Sequence, residues 1–97
     1  MDFQIKPIAK PHRLKDGTCL SIQASTVHYC SPRDDEGPYS AVEVGYINDG
    51  HGNTVTPPET WREYADGEKF PSGVYGYIPI ALVQSFCDDH GGILVHV

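Results

Sequence analysis

Ten glycines and eight prolines interrupt this 97-residue chain so often that one stretch stands out as a multi-turn helix. Proline removes a backbone donor and glycine favours turns, so the pattern predicts short strands and tight connections instead of a helical bundle. The exception is Ile80 to Asp89. There Leu82, Val83, Phe86 and Cys87 form one apolar stripe, and Gly91 stands where a helix end favours glycine.

Alternation of apolar and polar residues predicts the strands. Phe3 and Ile5 begin an edge strand running to Pro7. Leu20, Ile22 and Ala24 mark a second, after which Val27 and Tyr29 fall on the opposite phase. A bulge near Ser25-Thr26 reconciles the two halves. In 39–47, Val42, Val44 and Tyr46 share one face, with Ala41, Glu43 and Gly45 on the other. In 74–78, Tyr75 and Tyr77 oppose Val74, Gly76 and Ile78. The tyrosines then either point outward as a pair or lie under the helix with wet hydroxyls. Ile93, Val95 and Val97 alternate in a final strand. Asn48 to Asn53 reads as a turn. Thr56-Pro57-Pro58-Glu59 has the spacing of an N-cap, a first-turn proline and a capping glutamate. A short helix through Trp61 and Tyr64, stopped at Gly67, fits this segment as well as an extended loop does.

The expected fold is a single α+β domain over 1–97: a small antiparallel sheet of four to five strands with the C-terminal helix packed on one face. The link from strand 74–78 through the helix to 93–97 suits an antiparallel return or a right-handed parallel crossover. A chain of this mass buries about 65% of its unfolded surface, enough for one modest core. No segment is apolar for long enough to cross a membrane, and Met1-Asp2-Phe3 does not open a secretory signal. Three widely spaced cysteines, Cys19, Cys30 and Cys87, fit reduced thiols in a cytoplasm.

The net charge of −6 is unevenly spread. Residues 1–33 carry five Lys or Arg against two acids, whereas residues 34–97 carry eleven acids against Arg62 and Lys69. Such a balance disfavours nucleic acid as a direct partner and suits a basic protein surface. No basic stripe with interleaved aromatics appears. Gly50-x-Gly52 and Gly73-x-x-Gly76 lack the strand–loop–helix setting of a phosphate cradle.

Catalytic and metal signals are weak. His28 and Cys30 share a strand face, but no paired Cys-x-x-Cys or His-x-x-x-His spacing accompanies them, so no metal is expected. Cys30 with His28, His51 or His90 makes a nucleophile–base combination without an elbow or oxyanion motif. The expectation is a protein with no cofactor and no catalysis. Aromatic residues are the stronger signal, since Tyr and Trp are over-used at interfaces. Asp34, Asp35, Glu36, Trp61, Glu63, Tyr64, Asp66 and Glu68 form the expected contact set. The loop 31–38 is expected to be exposed beside 48–53 or Trp61, with Arg33 folded onto Asp35, Glu36 or a backbone carbonyl.

The runs Tyr29-Cys30-Ser31-Pro32-Arg33, Gly37-Pro38-Tyr39, Val42-Glu43-Val44-Gly45, Val74-Tyr75-Gly76-Tyr77-Ile78-Pro79 and His90-Gly91-Gly92 resemble those of short proteins encoded by tailed phages and prophages. The resemblance spans about residues 12–93 and brings no catalytic residue with it. It implies a product made in the bacterial cytoplasm. By analogy of class, it implies a non-enzymatic inhibitor that binds a host defence or nucleic-acid-handling complex, as anti-CRISPR proteins do. Two alternatives stay open: a phage structural or assembly accessory forming a homodimer or larger homo-oligomer, and a small Cys/His enzyme.

Overall fold

The computed structural model describes residues 11–24, 29–32, 38–67 and 69–94. Four strands form one antiparallel sheet in the order β1 (His12–Arg13), β2 (Cys19–Gln23), β3 (Ala41–Asn48) and β4 (Val74–Pro79). Helix α1 (Ile80–Asp89) follows β4 without a loop and packs against it. The expected α+β architecture is therefore the observed one. The edge strand placed at Phe3 to Pro7 and the bulge at Ser25-Thr26 lie outside the described residues.

The core follows the predicted patterns in most places. Leu20 and Ile22 of β2, Val42 and Val44 of β3, and Val83, Phe86 and Cys87 of α1 are buried together. Each fully buried Leu, Ile, Val or Phe contributes about 1.5–3 kcal/mol. Leu82, also placed in the helical stripe, is half-buried against that core.

Two bulges overturn the predicted face assignments. Between Cys19/Asn48 and Ser21/Gly45, β3 carries one residue more than β2; between Val42/Ile78 and Val44/Tyr75, β4 carries one more than β3. Tyr46 and Tyr77 occupy these irregularities with φ of 56° and 55°. An extra residue reverses the alternation beyond it. Tyr46 is therefore 73% exposed instead of sharing the Val42/Val44 face, and Ile47 is buried in its place. In β4, Tyr75 and Ile78 are both buried while Tyr77 points out. Tyr75 and Tyr77 are not an outward pair, nor are both under the helix.

The segment before β4 forms a 3-10 helix, Glu59–Tyr64, whose N-cap is Pro58 without a side-chain cap. Thr56 is thus not the cap that its spacing predicts. Proline supplies no capping oxygen, and Trp61 N–H bonds the Pro58 carbonyl instead, at 2.9 Å. Ala65 then turns extended and bridges to Tyr75 on the edge of β4 away from β3.

At the other end of α1, Gly91 (φ 91°) donates to the Asp88 carbonyl and Gly92 to that of Cys87, at 3.1 and 2.8 Å. This pair of bonds is a Schellman termination, as the glycine spacing predicts. The chain leaves it to form an antiparallel bridge from Ile93 to Leu14, so it returns beside β1 and not as a parallel neighbour of β4. Residues 95–97 of the predicted last strand lie outside the described residues.

Candidate functional site

Trp61 lies at the centre of an aromatic cluster. It meets Tyr75 edge-on at 5.5 Å between ring centres and Phe86 at 5.4 Å, and it is 1% exposed. Its place in the contact set is therefore a correction: a residue this deep cannot touch a partner. Flanking charges disguised it, but the 3-10 helix turns them outward. Glu59 and Arg62 pair with each other on the exposed side, and Arg62 lies 4.6 Å over the Phe70 ring. The Tyr75 hydroxyl accepts from Ser72 N–H at 2.9 Å, which satisfies its polar end in the core.

Outside this cluster, Glu63, Tyr64 and Asp66 line an open cleft of about 360 Å³ with Ala65, Tyr29, Gly76 and Tyr77. One wall comes from the end of the 3-10 helix and the 65–66 segment. Asp66 N–H donates to Val74 O at 2.9 Å, and Ser72 Oγ donates to Asp66 O at 3.0 Å, so the Asp66 backbone is held at both its groups. Tyr29 and Tyr77 also line the cleft, with ring centres 5.9 Å apart and planes inclined by 31°. Tyr29 N–H donates to Glu43 Oε2, and the Tyr29 carbonyl accepts from Tyr77 N–H, both at 2.9 Å.

Gly76 permits this approach. A Cβ there would stand 3.0 Å from Tyr29 Cβ, tight enough that the tyrosine would have to shift by a few tenths of an ångström. Both wall tyrosines stay accessible, Tyr29 at 44% and Tyr77 at 48%. Tyr64 is half-buried. Its burial, and then the adjacent Glu63 carboxylate, push its phenol above the usual value, so it presents a neutral hydroxyl. Among the described residues neither Glu63 nor Asp66 has an ion-pair partner.

The structure thus gathers Glu63, Tyr64 and Asp66 of the expected contact set. Asp34, Asp35, Glu36 and Glu68 lie outside the described residues, as does Arg33. Tyr29, Gly76 and Tyr77 were not in the set. Exposure of Tyr77 depends on the β4 bulge, and the Tyr29–Gly76 contact joins residues far apart in the chain, so neither is written in local spacing.

The residues weighed for catalysis are dispersed in role. Cys30 is buried, its Sγ donating to Pro32 O at 3.4 Å. His51 is exposed in the 49–53 turn, whose shape is set by Asp49 accepting from His51 N, Asn53 N and Asn53 Nδ2. These bonds hold the Asp49 carboxyl below its usual range.

His90 Nδ1 meets Asp16 Oδ2 at 2.6 Å and Thr18 Oγ1 at 3.2 Å. A Thr, a His and an Asp in contact suggest a relay, but both oxygens converge on the same ring nitrogen. A general base needs the acid on one nitrogen and the nucleophile on the other. The trio instead fastens the end of α1 to the β1–β2 turn. Among the described residues no three His, Cys, Asp or Glu side chains gather closely enough to hold a metal ion, and no helix is long and apolar enough to cross a membrane. No protein-family model, curated protein or solved structure matches the chain.

Proposed function

We propose that this chain is a non-enzymatic protein-binding module of the phage inhibitor class, which docks on a basic surface of a host defence or nucleic-acid-handling complex in the bacterial cytoplasm. The carrying observation is the cleft lined together by Tyr29, Tyr77, Glu63 and Asp66. Accessible tyrosines supply broad, rigid contact area at low entropic cost, and acids without an ion pair among the described residues steer a basic partner into register. The excess of acid over base in residues 34–97 extends the same electrostatic preference beyond the cleft. The phage-like runs at 29–33 and 74–79 contribute Tyr29, Gly76 and Tyr77.

Plaque assays test this reading on matched hosts that have or lack a defence system, with and without expression of the chain. A sensitive phage should recover plaquing on at least one defended host. The double variant Tyr77→Asn/Asp66→Asn should lose that recovery while still accumulating as folded protein. Equal plaquing across all matched pairs, or full recovery by the double variant, overturns the proposal.

A further inference from the structure

We infer that the cleft takes an arginine side chain of the partner, the guanidinium lying along the Tyr29–Tyr77 wall and bonding to the carboxylates of Glu63 and Asp66. The inference rests on the proposed docking role of this face and adds the chemistry of the group that fills it. Four observations converge on it. The two rings border the cleft together as an aromatic wall, with centres 5.9 Å apart and planes inclined by 31°. A planar cation stacks on such a wall through the negative faces of the rings. The two acids of the cleft have no ion pairs among the described residues, so none of those cations competes with an incoming one. Gly76 lets Tyr29 pack closely against β4 beside Tyr77, where a Cβ would press on the Tyr29 side chain. The molecule already seats one guanidinium on a ring, Arg62 over Phe70 at 4.6 Å.

Other ligand classes fit less well. A phosphate or carboxylate would meet two carboxylates. A purely apolar group would leave both acids facing a desolvated wall. Lysine carries the charge, but its ammonium is a strongly hydrated point without a planar surface to stack or a fork to match two oxygens.

The test follows amide chemical shifts of the full-length chain during titration with a short Gly/Ser peptide containing one arginine. Matched peptides carry lysine or the neutral isostere citrulline. Arginine should shift the amides of Tyr29, Tyr64, Gly76 and Tyr77 saturably. Lysine should bind at least about fivefold more weakly, and citrulline should leave these amides in place. Glu63→Gln/Asp66→Asn and, separately, Tyr77→Asn should each weaken arginine binding about tenfold, with amide dispersion retained as the check on folding. Equal affinity for arginine and lysine, shifts scattered over other acidic residues, or unmoved cleft amides overturn the inference. Loss of plaque recovery in the cleft variants alongside unmoved amides would reject arginine and leave the docking role standing. Saturable arginine binding with recovery intact in those variants would do the reverse.

Discussion

Trp61 sits among charges in the chain and among rings in the fold, so its substitution reports on the core. Truncation to alanine removes the contacts to Tyr75 and Phe86 and should cost about 3–5 kcal/mol by denaturant unfolding. As the single tryptophan, it should also resist iodide quenching in the native state. Strong native quenching would contradict its burial. The cysteines differ in the same way. Burial, with Asp88 adding to it, pushes the Cys87 thiol up to about 11. At pH 8 only about one molecule in a thousand then carries the reactive thiolate. Cys30 is also buried, whereas Cys19 is half-exposed. A thiol reagent should therefore modify Cys19 first and reach Cys87 only on unfolding. Peptide mapping after a brief pulse decides this, and early label on Cys87 would show that the helix does not shield it.

At the level of strands and helices, bulges decide what faces outward. Tyr46 is largely exposed in the left-handed region, where a side chain costs about 1–2 kcal/mol and Asn is better tolerated than Tyr. Tyr46→Asn should leave stability unchanged or raise it by up to about 1 kcal/mol. At a regular strand position the same change would lower stability, so a clear loss of melting temperature would argue for unbroken alternation. This is also where the sequence was least legible. Leu20 and Ile22, and Val42 and Val44, follow the period of two, and Val83, Phe86 and Cys87 follow that of a helix, so periodicity alone located their elements. A positive φ is usually announced by glycine or asparagine, and tyrosine gives no such sign at 46 or 77. The end of α1 was legible for the opposite reason: Gly91 has the residue type that its backbone requires. Beyond it, the Asp16 carboxylate accepts from Thr18 N–H and His90. First the Thr18 backbone bond, then Thr18 and His90 side-chain contacts, hold Asp16 below its usual 3.8. A folded-state value below the unfolded one stabilises at pH above the unfolded value and is lost as pH falls through the folded one. Acid titration of the melting temperature should thus decline below about pH 4, and Asp16→Asn should flatten part of the decline. An identical acid limb in the variant would remove Asp16 as a contributor.

Across the whole molecule, α1 carries the chain from β4 to a bridge beside β1, while the 65–66 segment lies along β4's outer edge. Glu63, Tyr64 and Asp66 reach the cleft because the 3-10 helix buries Trp61 and leaves the next turn at the rim. The acidic bias was visible in composition; the meeting of Tyr29 with Tyr77 beside Glu63 and Asp66 needed the fold. Two sets of acids can now be separated by experiment: Glu63 and Asp66 in the cleft, and Asp34, Asp35 and Glu36, close together in the sequence. Neutralising the first by Glu63→Gln/Asp66→Asn should remove the short-range bonds of the proposed cleft contact. Its effect on partner binding should persist at high salt and appear chiefly in the dissociation rate. Reversing the second by Asp34→Lys, Asp35→Lys and Glu36→Lys alters the long-range field. This should slow association about tenfold at low ionic strength, equivalent to about 1.4 kcal/mol, with the deficit shrinking as salt shortens the screening length. Glu63 and Asp66 are exposed, and exposed charges contribute about 0–1 kcal/mol to stability, so the first change should move the melting temperature by no more than a few degrees; the same outcome is expected of the second. Surface plasmon resonance against the captured partner at two salt concentrations separates these effects. If the triple reversal costs stability and leaves association unchanged, those three acids serve the fold, and steering falls to the remaining acidic residues of 34–97.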